Sequence, residues 1–196
     1  MAEVLHYLLQ RSISSHQNTA MKQFERIEAA IESQALSAVF AHWQAARRDR
    51  LMPAWRDIDA AAIGKYLSMV WAWRFDTAKG IFIGRLAGEE IVAVMGKEIR
   101  GRPLAQCFPA DAAPLIHDRY KAVIDGPQIM HSTSHVHMKT GRHGAGERLV
   151  LPLAGDGVTG DGVLGVTEYR LSIGDAKSVG AAIDHHHENI TFHPLT

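Results

Sequence analysis

The sequence lacks the features that mark several large classes of protein. It contains one cysteine, Cys107, which excludes an intramolecular disulfide and a cysteine-rich zinc site and suits a reducing compartment. Lys and Arg number 21, as do Asp and Glu, and no block of like charge marks a surface for nucleic acid or acidic membranes. No run reaches the roughly 18 apolar residues of a membrane span, and the first 17 residues show neither a basic leader nor a small-residue cleavage site. We therefore expect a cytoplasmic protein with no nucleic-acid or membrane partner.

Several common catalytic motifs are also missing. The sequence contains no Gly-x-Ser-x-Gly, no His-Glu-x-x-His and no P-loop. Cys107 has no sequence neighbour that would activate its thiol as a nucleophile. We therefore predict that the protein is not an enzyme.

Hydrophobic periodicity divides the chain into helical and strand-like segments. Apolar residues recur at three-to-four spacing between residues 18 and 50, which predicts one long helix. Short helical pieces, broken by glycine and proline, are predicted between residues 89 and 128. Five segments rich in β-branched or aromatic residues are predicted strands: 68–75, 80–88, 129–138, 147–155 and 162–172. This order predicts an α+β fold, a five-stranded antiparallel sheet with short helices on one face and a long N-terminal helix.

The same patterns suggest three parts of the chain. Residues 1–47 form an N-terminal helical extension, residues 48–172 form the α+β domain, and residues 173–196 form a C-terminal tail with little periodicity. The long helix either packs on its own domain or forms the contact of a homodimer.

Three motifs in order resemble a known family. The first motif ends a helix and leads to the first strand: HWQAARRDRLMPAWRDID (42–59). The second covers the second strand and a glycine-punctuated turn: GRLAGEEIVAVMGKEIRGRPL (84–104). The third is a strand ending in Pro-Leu: ERLVLPLAGDG (147–157). Together they resemble stand-alone bacterial PAS-like proteins. The matching positions of the first motif are Trp43, Arg47, Arg50, Pro53, Arg56, Asp57, Ile58 and Asp59.

The resemblance implies a PAS-like fold, in which short helices and the inner face of the sheet enclose a pocket. It also implies a sensory or regulatory module without its own output domain. Such a module would bind a small molecule, a signalling protein partner, or both, and its flanking helix would form a homodimer. The resemblance does not imply a particular ligand.

Candidate ligand-binding residues lie on the second strand and the last predicted helix. Gly84 stands where the family often has an aromatic residue, so a missing side chain between Phe82 and Leu86 on the same face would leave room for a ligand. A strand glycine also marks a bulge or a close backbone approach, which is the alternative. His117 and Tyr120 share a helix face at i, i+3 spacing and would bind a polar group if that face closes the pocket.

A histidine-rich strand suggests an alternative function. His131, His135 and His137 lie on one face of the predicted strand HSTSHVHMK (131–139), within reach of one metal ion. The strand carries no carboxylate that would orient the imidazoles, and a solvent-facing polar strand has the same pattern. The alternative function is therefore a small metal-binding protein or metal-dependent enzyme that uses these three histidines.

Overall fold

Six strands form one antiparallel sheet in the computed structural model, which describes residues 23–137, 142–173 and 188–195. Their bounds are β1 Val70–Asp76, β2 Ile81–Ala87, β3 Gln128–His137, β4 Arg142–Leu153, β5 Gly162–Ile173 and β6 Asn189–Pro194. The strand order is β2-β1-β5-β4-β3-β6, and all neighbours are antiparallel. The predicted α+β sheet is confirmed, with six strands rather than five.

The additional strand, β6, lies in the segment that periodicity assigned to a tail. It pairs with β3 from Gln128 opposite Pro194 to Thr133 opposite Asn189. The pairing covers N–H and C=O groups that would otherwise make β3 an exposed edge. Main-chain hydrogen bonds of this kind demand little of the side chains, so a short edge strand leaves only a weak pattern in the sequence. The predicted domain bounds at residues 47 and 172 stay a prediction.

Helices cover both faces of the sheet. Residues 23–30 (α1) and Gln34–Arg47 (α2) lie on one face, and Glu89–Met95 (α3) and Ala112–Asp125 (α4) lie on the other. Short 3₁₀ helices span Trp55–Asp57, Gly64–Met69 and Leu104–Gln106. Because strand side chains alternate, Val70 and Ala72 pack toward α2 while Trp71 and Trp73 pack toward α4.

The predicted long helix is interrupted at residues 31–33. α1 ends there, and the Ser33 hydroxyl caps α2 by accepting a hydrogen bond from the Leu36 amide at 3.3 Å. The Glu147 carboxylate on β4 accepts hydrogen bonds from the Glu32 and Ser33 amides, at 3.0 and 2.7 Å. A buried carboxylate that satisfies amides at a helix start favours a break at this point.

The α2 helix packs on its own sheet. Leu36, Phe40 and Trp43 on its inner stripe are completely buried, and each contributes roughly 1.5–3 kcal/mol of hydrophobic stabilisation. The Trp43 indole Nε1 also donates a hydrogen bond to the Pro152 carbonyl at 2.9 Å. The second half of the predicted N-terminal helix is therefore part of the core.

Candidate functional site

A cavity of about 40 Å³ lies between the sheet and the helices α3 and α4; we call it the α3/α4 cavity. Aromatic and apolar side chains form most of its wall. The lining residues are Trp71, Trp73, Ile91, Met95, Ile99, Phe108, Tyr120, Arg148 and Tyr169. A mostly apolar wall with a few converging polar groups is the usual composition of a small-molecule site.

Strand β5 positions the indole of Trp71 in the cavity wall. A Cβ at Gly165 would lie 2.1 Å from the Trp71 ring, so only glycine allows this close approach. The indole Nε1 donates a hydrogen bond to the Thr167 hydroxyl at 2.9 Å. Tyr120 on α4 stacks on the same indole, with ring centroids 5.3 Å apart. Burial raises the pKa of the Tyr120 phenol, and nearby Arg148 lowers it by a smaller amount, so this side chain stays neutral.

Arg148 on β4 supplies the positive charge of the cavity. Its side chain is 15% exposed. Nε donates a hydrogen bond to the Thr167 hydroxyl at 3.3 Å, and the Tyr169 hydroxyl also hydrogen-bonds the guanidinium. Burial by itself lowers the pKa of Arg148, but the oxygens of Tyr169 and Glu188 outweigh it and raise the pKa. The guanidinium is therefore charged at every pH at which the protein is folded.

Glu188 connects this arginine to α4 and to the start of β6. Its side chain is 4% exposed, and one carboxylate oxygen lies 2.7 Å from Arg119 Nη1. The other oxygen lies 3.5 Å from Arg148 Nη1. The distance to Arg119 is typical of a charge-assisted hydrogen bond, whereas the distance to Arg148 is at the outer limit for a hydrogen bond.

The structure brings three of the five predicted ligand-binding residues together. The Phe82 ring lies edge-on to His117 and to Tyr120, with centroids 5.4 and 5.8 Å apart. Tyr120 lines the α3/α4 cavity, whereas Phe82 and His117 do not appear in its wall. His117 Nε2 lies 3.1 Å from the Gly80 carbonyl, so this ring bridges α4 to the β1–β2 turn.

The other two predicted residues do not reach the cavity. A Cβ at Gly84 would lie 2.1 Å from the backbone oxygen of Ile99, so on that side the glycine allows a close backbone approach. Gly84 also lines a separate pocket of about 430 Å³, together with Arg74 and Arg85. The register between β1 and β2 shifts at Arg85, which forms a bulge. Phe82 and Leu86 therefore face opposite sides of the sheet, contrary to the prediction that they share a face.

The histidine-rich strand is β3, and His131 on it is buried. His131 Nε2 lies 2.8 Å from the Glu147 carboxylate, and both side chains are less than one-tenth exposed. The expectation that this strand face is solvent-exposed is therefore wrong at His131. Within the described residues, no group of three potential ligands is arranged to hold a metal ion. The side chains of His135 and His137 lie outside the described part of the chain.

A glycine-rich turn joins β4 to β5. Residues 155–160 read Gly-x-Gly-x-x-Gly, the spacing found in dinucleotide-binding loops. Here the segment connects two antiparallel strands, and no helix follows it. The Asp156 carboxylate accepts hydrogen bonds from the Val158 and Thr159 amides at 2.8 and 2.7 Å, which folds the turn on itself. The segment is therefore a structural turn.

Sequence reasoning missed Arg148, Tyr169 and Glu188. The pattern of β4 nevertheless carries a signal, because Leu149, Val150 and Leu151 are consecutive apolar residues. A strand with apolar residues at successive positions is buried on both faces. The charged residue that precedes this run, Arg148, is therefore expected to lie inside and to need a partner.

Comparison with protein families identifies the class. A sheet with short helices enclosing a cavity on one face matches the architecture that the resemblance implied. The PAS domain family model matches residues 31–168, well over half of the chain. The chain belongs to the PAS domain family, which confirms the resemblance seen in the sequence. A search of curated proteins gives no match.

Solved structures give partial matches at low identity. VqmA bound to DPO is 14% identical, with a TM-score of 0.44 over 56% of this chain and 55% of that chain. The VqmA–ligand–DNA complex from Vibrio cholerae is 13% identical, with a TM-score of 0.44 over 57% of this chain and 51% of that chain. The V. cholerae VqmA dimer in the absence of target DNA is 15% identical, with a TM-score of 0.41 over 57% of this chain and 51% of that chain. This chain thus spans about half the length of those chains. In the described residues, no helix combines the length and the apolar character needed to cross a membrane.

Proposed function

We propose that this chain is a sensory or regulatory module that binds a small molecule in the α3/α4 cavity and catalyses no reaction. The observation that carries the proposal is the guanidinium of Arg148 in a wall formed mainly of aromatic rings. A buried charge is costly and is retained where it has partners, and here it faces a cavity between helices and sheet. The family supports a regulatory role for such a site.

The two faces of β4 offer a physical route from the cavity to the N-terminal helices. Arg148 faces the cavity, and its neighbour Glu147 points to the opposite face and hydrogen-bonds the start of α2. A ligand that binds one packing of α1 and α2 better than another would shift the population between them. We propose that this region, residues 1–47, mediates a cytoplasmic homodimer and presents the signal to a protein partner.

The experiment is native mass spectrometry of the full chain purified from a bacterial host, with its Trp emission recorded before and after addition of the host's small-molecule extract. A cavity-filling variant, Ile91→Phe, tests the location. Ile63→Phe is the matched control, because Ile63 is equally buried but packs on the α1/α2 face. Both variants incur an overpacking cost of about 1–3 kcal/mol, and only the first occupies the cavity.

We expect a bound organic mass, or a change in Trp emission, in the wild type and in Ile63→Phe but not in Ile91→Phe. The same binding in all three proteins would place the ligand elsewhere. No bound mass and no change in emission with any fraction of the extract would contradict the proposed function. Light scattering of the full chain and of a chain lacking residues 1–22 tests the dimer, and a monomeric full chain would refute it.

A further inference from the structure

The charge balance around Arg148 indicates what kind of ligand the α3/α4 cavity takes. Among the residues that line the cavity, all of them in the described part of the chain, Arg148 alone carries a charge. The rest of the wall is apolar or neutral. A charged group of opposite sign is therefore the polar feature that this wall recognises best.

Among the contacts of the Arg148 guanidinium in the described part of the chain, only Glu188 carries a negative charge. Thr167 and Tyr169 are neutral hydroxyls. The carboxylate of Glu188 lies 3.5 Å away, whereas its other oxygen makes the shorter contact of 2.7 Å with Arg119. A guanidinium has five N–H donors in a plane and pairs with a carboxylate through two parallel hydrogen bonds when the geometry permits. Glu188 does not make this bidentate pair with Arg148.

The size of the cavity limits the rest of the ligand. A water-sized sphere needs about 10–15 Å³, so a cavity of about 40 Å³ holds only a few non-hydrogen atoms. Displacement of the Glu188 carboxylate from the guanidinium would add room for a second carboxylate. The apolar wall formed by Trp71 and Ile91 suits a short hydrocarbon group.

We propose that the α3/α4 cavity binds a small carboxylate through Arg148, and that this carboxylate competes with Glu188 for the guanidinium. The inference rests on the proposed function, because it names the ligand class of the same site. Glu188 directly precedes β6, so its displacement would also loosen the pairing of β6 with β3. Ligand binding in the cavity would then change the exposure of the C-terminal strand.

The probe is sodium propionate, compared with propionamide, which has nearly the same shape without the charge. Binding is measured by saturation-transfer NMR and by thermal shift, with sodium chloride keeping the ionic strength constant. The variants are Arg148→Gln, Arg148→Lys and Glu188→Gln. Arg74→Gln is the control, because Arg74 is exposed and lies outside the cavity.

We expect propionate, and not propionamide, to bind the wild type and Arg74→Gln. Arg148→Gln should weaken propionate binding by roughly tenfold or more, the usual loss for hydrogen bonds to a charged group. Arg148→Lys keeps the charge but loses the bidentate geometry, and we expect an intermediate affinity. Glu188→Gln should strengthen binding several-fold, because it removes the competitor. Propionate should also accelerate amide exchange in residues 189–193.

Several results would overturn the carboxylate assignment. These are equal binding of propionamide, an equal effect of sodium phosphate, unchanged affinity in folded Arg148→Gln, or weaker binding in Glu188→Gln. A neutral organic mass in the native spectrum would reject the ligand class while the proposed function stands. Absence of any bound mass together with no effect of propionate would reject both. Circular dichroism of each variant identifies any that does not fold. If the Arg148 variants do not fold, the propionate affinity of Glu188→Gln, which keeps the shape of the side chain, decides the test.

Discussion

The buried carboxylate of Glu147 joins three elements that lie far apart in the sequence. Its side chain is 6% exposed, and it accepts hydrogen bonds from the Glu32 amide at 3.0 Å and the Ser33 amide at 2.7 Å. His131 Nε2 lies 2.8 Å from the same group. We predict that Glu147→Gln, which keeps the shape of the side chain, destabilises the fold through these contacts.

The magnitude follows from the contacts that are lost. An amide replaces one acceptor oxygen by an NH₂ group that faces donors, so one contact becomes repulsive and the others lose their charge. Hydrogen bonds to charged groups contribute about 1.5–3 kcal/mol each, and the negative charge at the start of α2 contributes up to about 1 kcal/mol more. We expect a net loss of about 3 kcal/mol. For a chain of this size that corresponds to a fall in Tm of about 6–12 °C.

Thermal unfolding followed by circular dichroism measures the change, with urea unfolding as the second probe. The matched control is Glu28→Gln, because Glu28 is an exposed residue on α1, and exposed substitutions usually change stability by less than about 0.5 kcal/mol. If Glu147→Gln unfolds at the same temperature as Glu28→Gln, the carboxylate does not hold α2 on the sheet. The reasoning about the helix break at residues 31–33 would then be wrong.

Three further predictions concern close packing and pH. Gly165→Ala places a Cβ 2.1 Å from the Trp71 ring. We expect the free energy of unfolding to fall by about 1–3 kcal/mol and the Trp emission to shift. An unchanged emission spectrum would contradict this close packing. Gly84→Ala meets the backbone of Ile99 at 2.1 Å, so its urea midpoint should fall at least as far as that of Gly165→Ala, and a midpoint equal to the wild type would refute the close approach. Burial, and to a smaller extent the charge of His131, lowers the pKa of His193. The unfolded chain therefore binds a proton more readily, so this residue costs stability as the pH falls below about 6.5. The difference in Tm between pH 7.5 and 5.5 should shrink in His193→Asn, and a larger difference would reject this assignment.

The fold follows largely from local patterns. The apolar residues that recur between residues 18 and 50 predict a helix, and near Phe40 and Trp43 their pattern broadens and predicts burial on more than one side. The structure buries both residues completely. The β-branched and aromatic segments predict five strands, and β1 to β5 overlap those segments, although β4 begins at Arg142, before the predicted start at residue 147. Such patterns work because a buried face requires apolar residues at the period of the element. β6 lacked this signal because its contribution is main-chain pairing.

The candidate site was less predictable. The helix face that Tyr120 shares with His117 predicts a ligand contact, and the structure places Tyr120 in the cavity wall. Strict alternation predicts that Gly84 and Leu86 share a face with Phe82, but the alternation fails at the Arg85 bulge. A bulge depends on how one strand meets its neighbour, and nothing in a single strand reveals it.

What the sequence by itself determined is the class of the protein: the order of the main helices and of five of the six strands, and the motifs of the PAS family. The tertiary structure decided which charged groups meet. Glu147 reaches the amide of Ser33 across 114 positions, and Arg148 meets Glu188 across 40. Such pairs depend on strand order and register, which local periodicity does not encode, because periodicity reports only whether a residue faces inward and not what it faces.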